Sequence, residues 1–106
     1  MTNNNEQISF RDDVYKLIAM VPYGKVTTYG DLAVLAGHPY AARVVGQIAH
    51  FGPEHLPWQR LVNKTGGMAR GFWGGPEAHA SLLGGEGVEI KNFKIVNMEQ
   101  YHWQSL

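Results

Sequence analysis

The sequence predicts a mainly α-helical fold of the helix-turn-helix, winged-helix-like type with a small β element. Three features support this: an apolar helical stripe near the N-terminus, two short helical segments around a glycine-containing turn, and short β-branched segments between and after them. The 106 residues fit one domain, and a hydrophobic content of 44% is near the globular average. We therefore expect one domain over residues 8–106, after a disordered polar lead-in over residues 1–7.

The composition excludes several classes of protein. Nine Lys and Arg balance nine Asp and Glu, so the chain lacks the positive charge of a histone-like protein. It has no cysteine, which excludes disulfides, a thiolate nucleophile and Cys-based zinc sites. We find no apolar run of membrane-spanning length and no signal-peptide pattern. These features predict a cytoplasmic protein that does not associate with membranes.

The first predicted helix begins at Ser9, which forms a weak capping pattern with Asp12. Pro22-Tyr23-Gly24 ends it with turn residues. Between these limits the apolar residues recur at helical spacing: Phe10, Val14, Leu17, Ile18 and Val21. The helix should therefore bury one face against the rest of the domain.

Two short helices should follow an extended segment at Val26-Thr27-Thr28. Thr28 with Asp31 marks the start of the first helix, and Gly37 marks its end. The second spans about residues 40–50 and places its apolar residues on one arc: Ala41, Val44, Val45, Ile48 and Ala49. Arg43, Gly46, Gln47 and His50 fall on the opposite arc. This outward arc suits a helix that enters a DNA groove, although an ordinary amphipathic helix in water has the same pattern.

The C-terminal half predicts shorter elements. A hairpin should pair residues 60–63 with 68–70 around the Lys64-Thr65-Gly66-Gly67 turn. A glycine-rich aromatic loop over residues 71–75 leads to a helix from Pro76 to Leu83 that Gly84-Gly85 should end. Short strands at 88–90 and 93–96 and a helical tail over 98–103 should follow, with Tyr101 and Trp103 packed on the core.

The charges are unevenly distributed. Between Tyr40 and Gly75 the only acidic residue is Glu54, against four cations: Arg43, Arg60, Lys64 and Arg70. If all four met DNA phosphates, the logarithm of the binding constant would fall with that of the salt concentration with a slope of about −3.6. The sequence predicts modest, salt-sensitive DNA binding.

Four blocks stand in order along residues 10–90: Val26-Thr-Thr-Tyr29-Gly-Asp-Leu-Ala, Ala41-Ala-Arg43-Val-Val-Gly46, Pro57-Trp-Gln-Arg-Leu-Val62 and Gly74-Gly75…Leu82-Leu83…Glu86-Gly87. Together they resemble the DNA-binding and active-site domain of the O6-alkylguanine-DNA alkyltransferases. In that family the third block reads Pro-Cys-His-Arg-Val, and its cysteine takes the alkyl group from guanine O6. Here Trp58 and Gln59 replace the cysteine and the histidine. The chain therefore resembles the alkyltransferase-like subfamily, which binds such lesions without repairing them.

The residue chemistry agrees with the loss of catalysis. Alkyl transfer needs a thiolate and a neighbouring base, whereas an indole is only an N–H donor and a primary amide is not a base near neutral pH. Glu86 matches the acid of the family's relay but has nothing to relay, so we interpret it as structural. We predict no enzymatic activity, no cofactor and no metal site, since His50 and His55 have no carboxylate at a useful spacing except Glu54.

The resemblance also implies binding roles. Tyr29 would rotate the target nucleotide, and Arg43 would enter from the minor groove and fill the gap that the extruded base leaves. The small Gly46 would let the recognition helix approach DNA, and we add its outward-facing neighbour Gln47. A second group would form the pocket for the base: Trp58, Arg70 and Phe72, with Trp73. Each aromatic could instead be a core residue, and Arg43 could be an ordinary solvated residue.

By resemblance, the partners are double-stranded DNA containing O6-alkylguanine and the damage-recognition subunit of nucleotide excision repair, bound by a monomer. Two other functions remain open. A helix-turn-helix transcription regulator would bind undamaged DNA and would normally need a dimer interface. A lesion hydrolase using Glu86 or a histidine would release altered products. Binding of one duplex with and without the lesion, followed by product analysis, separates the three.

Overall fold

A computed structural model of the protein describes residues 4–104, with side chains from residue 8 onward. The described chain is mostly helical, with helices α1 (Asn4–Met20), α2 (Tyr29–Leu35), α3 (Ala42–His50), α4 (Gly75–Gly85) and α5 (Met98–Tyr101), and a 3-10 helix at Trp58–Arg60. Its strands are β1 (Thr27–Thr28), β2 (Leu61–Val62), β3 (Ile90–Lys91) and β4 (Lys94–Ile95). The predicted fold class, mainly α with a helix-turn-helix and a small β element, is confirmed.

Helix α1 begins earlier than predicted. It starts at Asn4 instead of Ser9, so residues 4–7 are helical and not a disordered lead-in, while residues 1–3 lie outside the described part of the chain. No proline or glycine interrupts residues 4–8, so nothing in that segment stops the helix from extending towards the N-terminus. The predicted stripe is confirmed at its buried positions: Phe10, Val14, Ile18 and Val21 are at most 8% exposed.

The helix pair forms as predicted. The Oγ1 atom of Thr28 accepts a hydrogen bond from the Asp31 amide at 3.1 Å and caps α2, and Gly37 adopts a left-handed φ of 88° after its end. Helices α2 and α3 pack on each other and on α1 through a shared core that includes fully buried Val45. Val44 is a correction, since it is 45% exposed. The apolar arc of α3 is wider than its contact with the core, and Val44 lies beyond that contact.

The predicted hairpin between residues 60–63 and 68–70 is wrong. Strand β2 instead pairs in parallel with β1, with Thr27 opposite Leu61 and Thr28 opposite Val62. The glycine-bearing turn does form, because the Gly66 amide donates to Asn63 O, but the Met68 amide then donates to Phe93 O near β4. The turn residues therefore predict where the chain reverses direction, but they do not predict which strand pairs with β2.

The remaining C-terminal predictions hold with shifted limits. Strands β3 and β4 form an antiparallel hairpin, and α4 extends through Gly85, so the two glycines lie in its last turn and do not end it earlier. The amides of Val26 and Trp103 bond across to the carbonyls of Tyr101 and Val26, which ties the tail beside β1. Tyr101 and Trp103 pack on the core, as predicted. Among the described helices, none is long and apolar enough to cross a membrane.

Candidate nucleic-acid interface

A cavity of about 620 Å³ lies between the C-terminal part of α3, the 3-10 helix and the loop before α4. This volume falls within the range of about 300–1,000 Å³ typical of small-molecule sites. Five of the seven predicted binding residues line it: Tyr29, Gly46, Trp58, Arg70 and Phe72. Arg43 and Gln47 do not. Both are exposed on α3 outside the cavity.

Trp58 is held at the edge of this cavity by polar and aromatic contacts. Its Nε1 donates a 2.8 Å hydrogen bond to Pro53 O, so the polar atom of the indole is satisfied within the protein. Tyr15 on α1 meets the ring edge-on, with 6.0 Å between centroids. The side chain is half-buried, and it lines the cavity instead of being sealed in the core. The indole therefore has a fixed orientation while remaining accessible.

Gly52 makes this position of Trp58 possible. A Cβ atom placed on Gly52 would lie 2.5 Å from Cζ2 of Trp58 and 3.0 Å from the backbone oxygen of Ile48. The backbone of Ile48 prevents the new Cβ atom from shifting away from Trp58, so the indole would have to move instead. We expect Gly52→Ala to displace Trp58 and change its fluorescence spectrum, and Gly46→Ala to leave it unchanged, since a Cβ there meets Tyr29 only at 3.8 Å. Identical tryptophan spectra for both variants would contradict this packing.

Glu86 has the structural role that we inferred from the sequence. Its carboxylate, 6% exposed, accepts hydrogen bonds from the Gly24 amide at 2.8 Å, Gln59 Nε2 at 2.9 Å and Arg60 Nε at 3.0 Å. Burial raises the pKa of a carboxyl group, but these bonds outweigh it and hold the pKa of Glu86 below its ordinary value. The carboxylate joins the turn after α1, the 3-10 helix and the end of α4. It thereby supports the segment that carries Trp58.

Arg60 corrects the charge prediction. Its guanidinium pairs with Glu86 and donates from Nη1 to Val21 O at 2.9 Å, so it is occupied within the protein. The three exposed cations of this region are Arg43, Lys64 and Arg70. With three phosphate contacts at most, the expected salt slope becomes about −2.7.

A further part of the cavity lining is a loop that we call the arginine loop, residues 69–73. Arg70 is exposed, Phe72 is half-buried and Trp73 is 54% exposed, and all three line the cavity. His50 at the end of α3 donates from Nδ1 to Gly71 O at 3.3 Å, which connects α3 to this loop. The cavity thus has one cation and several aromatic rings on its border.

Tyr29 and Gly46 form the part of the cavity between the two helices of the pair. Burial raises the pKa of the Tyr29 hydroxyl, which therefore remains a neutral hydrogen-bond donor at physiological pH. Gly46, on α3, lies beside the ring of Tyr29. The combination places a hydroxyl donor next to a helix surface without bulk.

The residues that sequence reasoning missed at this site include two histidines and an asparagine. The sequence predicts His50 only on the outward arc of α3 and Asn63 only in a hairpin, yet both line the cavity. His79 had no visible partner in the sequence, but it is fully buried behind the arginine loop. The one indication of its burial in the sequence is its position at the centre of α4, four residues before Leu83 and therefore on the same helix face.

Comparison with known proteins gives the family. Residues 9–88 match the family model of the 6-O-methylguanine DNA methyltransferase DNA-binding domain. Alkyltransferase-like protein 1 of Schizosaccharomyces pombe is 38% identical over 102 residues, covering 90% of this chain and 94% of the relative. The DNA base-flipping protein of Escherichia coli is 39% identical over 99 residues, covering 90% and 74%.

The structural comparison agrees. The crystal structure of S. pombe Atl1 in complex with damaged DNA containing O6-carboxymethylguanine superimposes with a TM-score of 0.83 and 36% identity, covering 99% of this chain and 100% of that one. Mycobacterium tuberculosis O6-methylguanine methyltransferase in complex with DNA gives a TM-score of 0.67 at 29% identity, over 82% of this chain and 51% of that one. This chain therefore belongs, as an alkyltransferase-like protein, to the family of the 6-O-methylguanine DNA methyltransferase DNA-binding domain.

Proposed function

We propose that the protein recognises O6-alkylguanine in duplex DNA by rotating the damaged base into the cavity and holding it there unchanged. The observation that carries this is that the indole of Trp58 lines the cavity. By the sequence resemblance, Trp58 stands at the motif position where the transferases have their cysteine. The chain has no thiol, and Gln59 beside it donates to Glu86 and is not a base. The site is therefore suited to binding and not to alkyl transfer.

The energies favour a damaged base. Extruding a base costs a few kcal/mol, and less when its pairing is already weakened, as it is when an O6-alkyl group removes the N1 proton of guanine. Stacking on an aromatic ring returns about 1–3 kcal/mol per base, and a desolvated cation–π contact about 2 kcal/mol. Trp58 and Arg70 border the cavity and supply these two groups. Their sum offsets the cost of extrusion without a covalent bond.

The relatives support the same proposal. One is named a DNA base-flipping protein, and Atl1 forms a complex with DNA that contains O6-carboxymethylguanine. For this chain we further propose insertion of Arg43 from the minor groove, with Gln47 and Gly46 close to the DNA. We also propose that the chain forms one domain that acts as a cytoplasmic monomer, and that binding marks the lesion for the damage-recognition subunit of nucleotide excision repair.

The test is the affinity for one duplex with and without a single O6-methylguanine, at one stated salt concentration. We expect at least tenfold tighter binding to the modified duplex, which corresponds to about 1.4 kcal/mol. The oligonucleotide should be recovered chemically unchanged after prolonged incubation. Equal affinities would support a regulator of undamaged DNA, and base loss or demethylation with turnover would support an enzyme. Either result would overturn the proposal.

Arg43→Ala tests the proposed insertion. The side chain is exposed on α3 and forms no salt bridge among the described residues, so its removal should leave stability within about 0.5 kcal/mol. We expect affinity for the modified duplex to fall by about tenfold, because a desolvated contact with the base stack is lost. Lys91→Ala, which removes an exposed cation from β3, is the matched control and should change affinity little. Equal effects of the two variants would mean that Arg43 contributes only general charge.

A further inference from the structure

His79 is the one fully buried ionisable side chain among the described residues. Both of its ring nitrogens are used. The Ala69 amide lies 3.1 Å from Nδ1, and Nε2 lies 2.8 Å from Gln59 O. Because an amide can only donate and a carbonyl can only accept, Nδ1 is the acceptor and Nε2 carries the proton. The ring is therefore a neutral imidazole of one defined tautomer.

The partners of this ring belong to two different segments that line the cavity. Gln59 directly follows Trp58 in the 3-10 helix, whereas Ala69 directly precedes Arg70 in the arginine loop. No hydrogen bond in the described part of the chain joins residues 58–60 directly to residues 69–73. His79 connects these two segments through the carbonyl of Gln59 and the amide of Ala69.

A third contact fixes the arginine loop. The ring of Phe72 stacks on His79 with 4.4 Å between centroids and 14° between planes. Gln59, Ala69 and Phe72 all line the cavity, while His79 itself does not. The imidazole thus contacts three cavity residues without reaching the cavity.

We propose that His79 is a positioning residue that sets the distance and orientation between Trp58 and the Arg70–Phe72 pair, and so determines the preference for an alkylated base. This inference rests on the proposed function. An apolar side chain of similar size would fill the same space, but it could bond neither the carbonyl of Gln59 nor the amide of Ala69. A stacked base needs Trp58 and the arginine loop at the correct separation. A loose arginine loop therefore weakens lesion binding before it weakens contacts made by α3.

Three substitutions separate the two hydrogen bonds. His79→Leu removes both and keeps the bulk. In His79→Asn the amide oxygen replaces Nδ1 and preserves the bond from Ala69, and in His79→Gln the longer amide replaces Nε2 and preserves the bond to Gln59. Hydrogen exchange of the Ala69 amide checks the geometry, since it should be fast in His79→Leu and His79→Gln but protected in His79→Asn. His55→Leu, at an exposed histidine that does not line the cavity, is the matched control.

The readout is the ratio of affinities for modified and unmodified duplex, measured below the melting temperature of each variant. We expect His79→Leu to lower this ratio about tenfold with affinity for unmodified DNA within about twofold, and Asn and Gln each to recover part of the loss. A folded His79→Leu that keeps the wild-type ratio overturns the inference. If that variant does not fold, wild-type ratios in both amide variants overturn it. If the wild-type protein itself binds both duplexes equally, the proposed function is wrong. That result is distinct from a failure of the inference about His79.

Discussion

Trp58→Ala is expected to remove most of the preference for O6-alkylguanine over guanine while affinity for unmodified duplex stays within about threefold. Stacking on an aromatic ring is worth about 1–3 kcal/mol per base, so the affinity for the modified duplex should fall by about five- to 150-fold. The contacts that we propose between α3 and DNA do not involve the indole. The measurement is a pair of binding isotherms, with and without the lesion, at one salt concentration.

Controls must separate lost recognition from lost stability. Trp58 is half-buried and contacts Tyr15, so its truncation should also lower the free energy of unfolding, by less than the 3–5 kcal/mol or so typical of fully buried aromatics. Trp58→Phe keeps an aromatic face without the N–H donor to Pro53 and should retain part of the lesion preference. If alanine and phenylalanine lose the preference equally while both are folded, stacking is not the source of recognition.

The helical part of the fold was predictable because local signals and tertiary packing agree there. The stripe from Phe10 to Val21 and the Thr28 cap lead to the observed α1 and α2. The β pairing was not predictable. Leu61 and Val62 pair with β1, more than thirty positions earlier in the chain, and no turn residue encodes a parallel partner at that distance.

The candidate site divides in a similar way. Tyr29 and Trp58 could be assigned from the resembling motifs, and Arg70 from the resemblance in the segment between the third and fourth blocks. The structure brings all three to one cavity. The supporting contacts could not be assigned, because they depend on which backbone atoms meet in space. The bond from His79 to Gln59 O and the collision that Gly52 avoids are invisible in a linear pattern. The residues predicted to bind the base belong to recognisable sequence motifs, whereas the residues that support them do not.

Glu86→Gln is expected to lower the free energy of unfolding by about 3 kcal/mol, because it leaves the guanidinium of Arg60, whose side chain is 16% exposed, without its counter-charge. Glu89→Gln, at an exposed glutamate, should change it by less than about 0.5 kcal/mol. The effect must depend on pH. Since the pKa of Glu86 is lowered on folding, its stabilisation is complete above the ordinary glutamate value of 4.5 and is lost as the pH falls through the folded value. Denaturation at about pH 7 and at a series of pH values below 4.5 tests this, because the stabilisation by the carboxylate declines over that range and the difference between wild type and variant should shrink as the pH falls. A difference that stays constant would show that shape, and not charge, makes Glu86 stabilising.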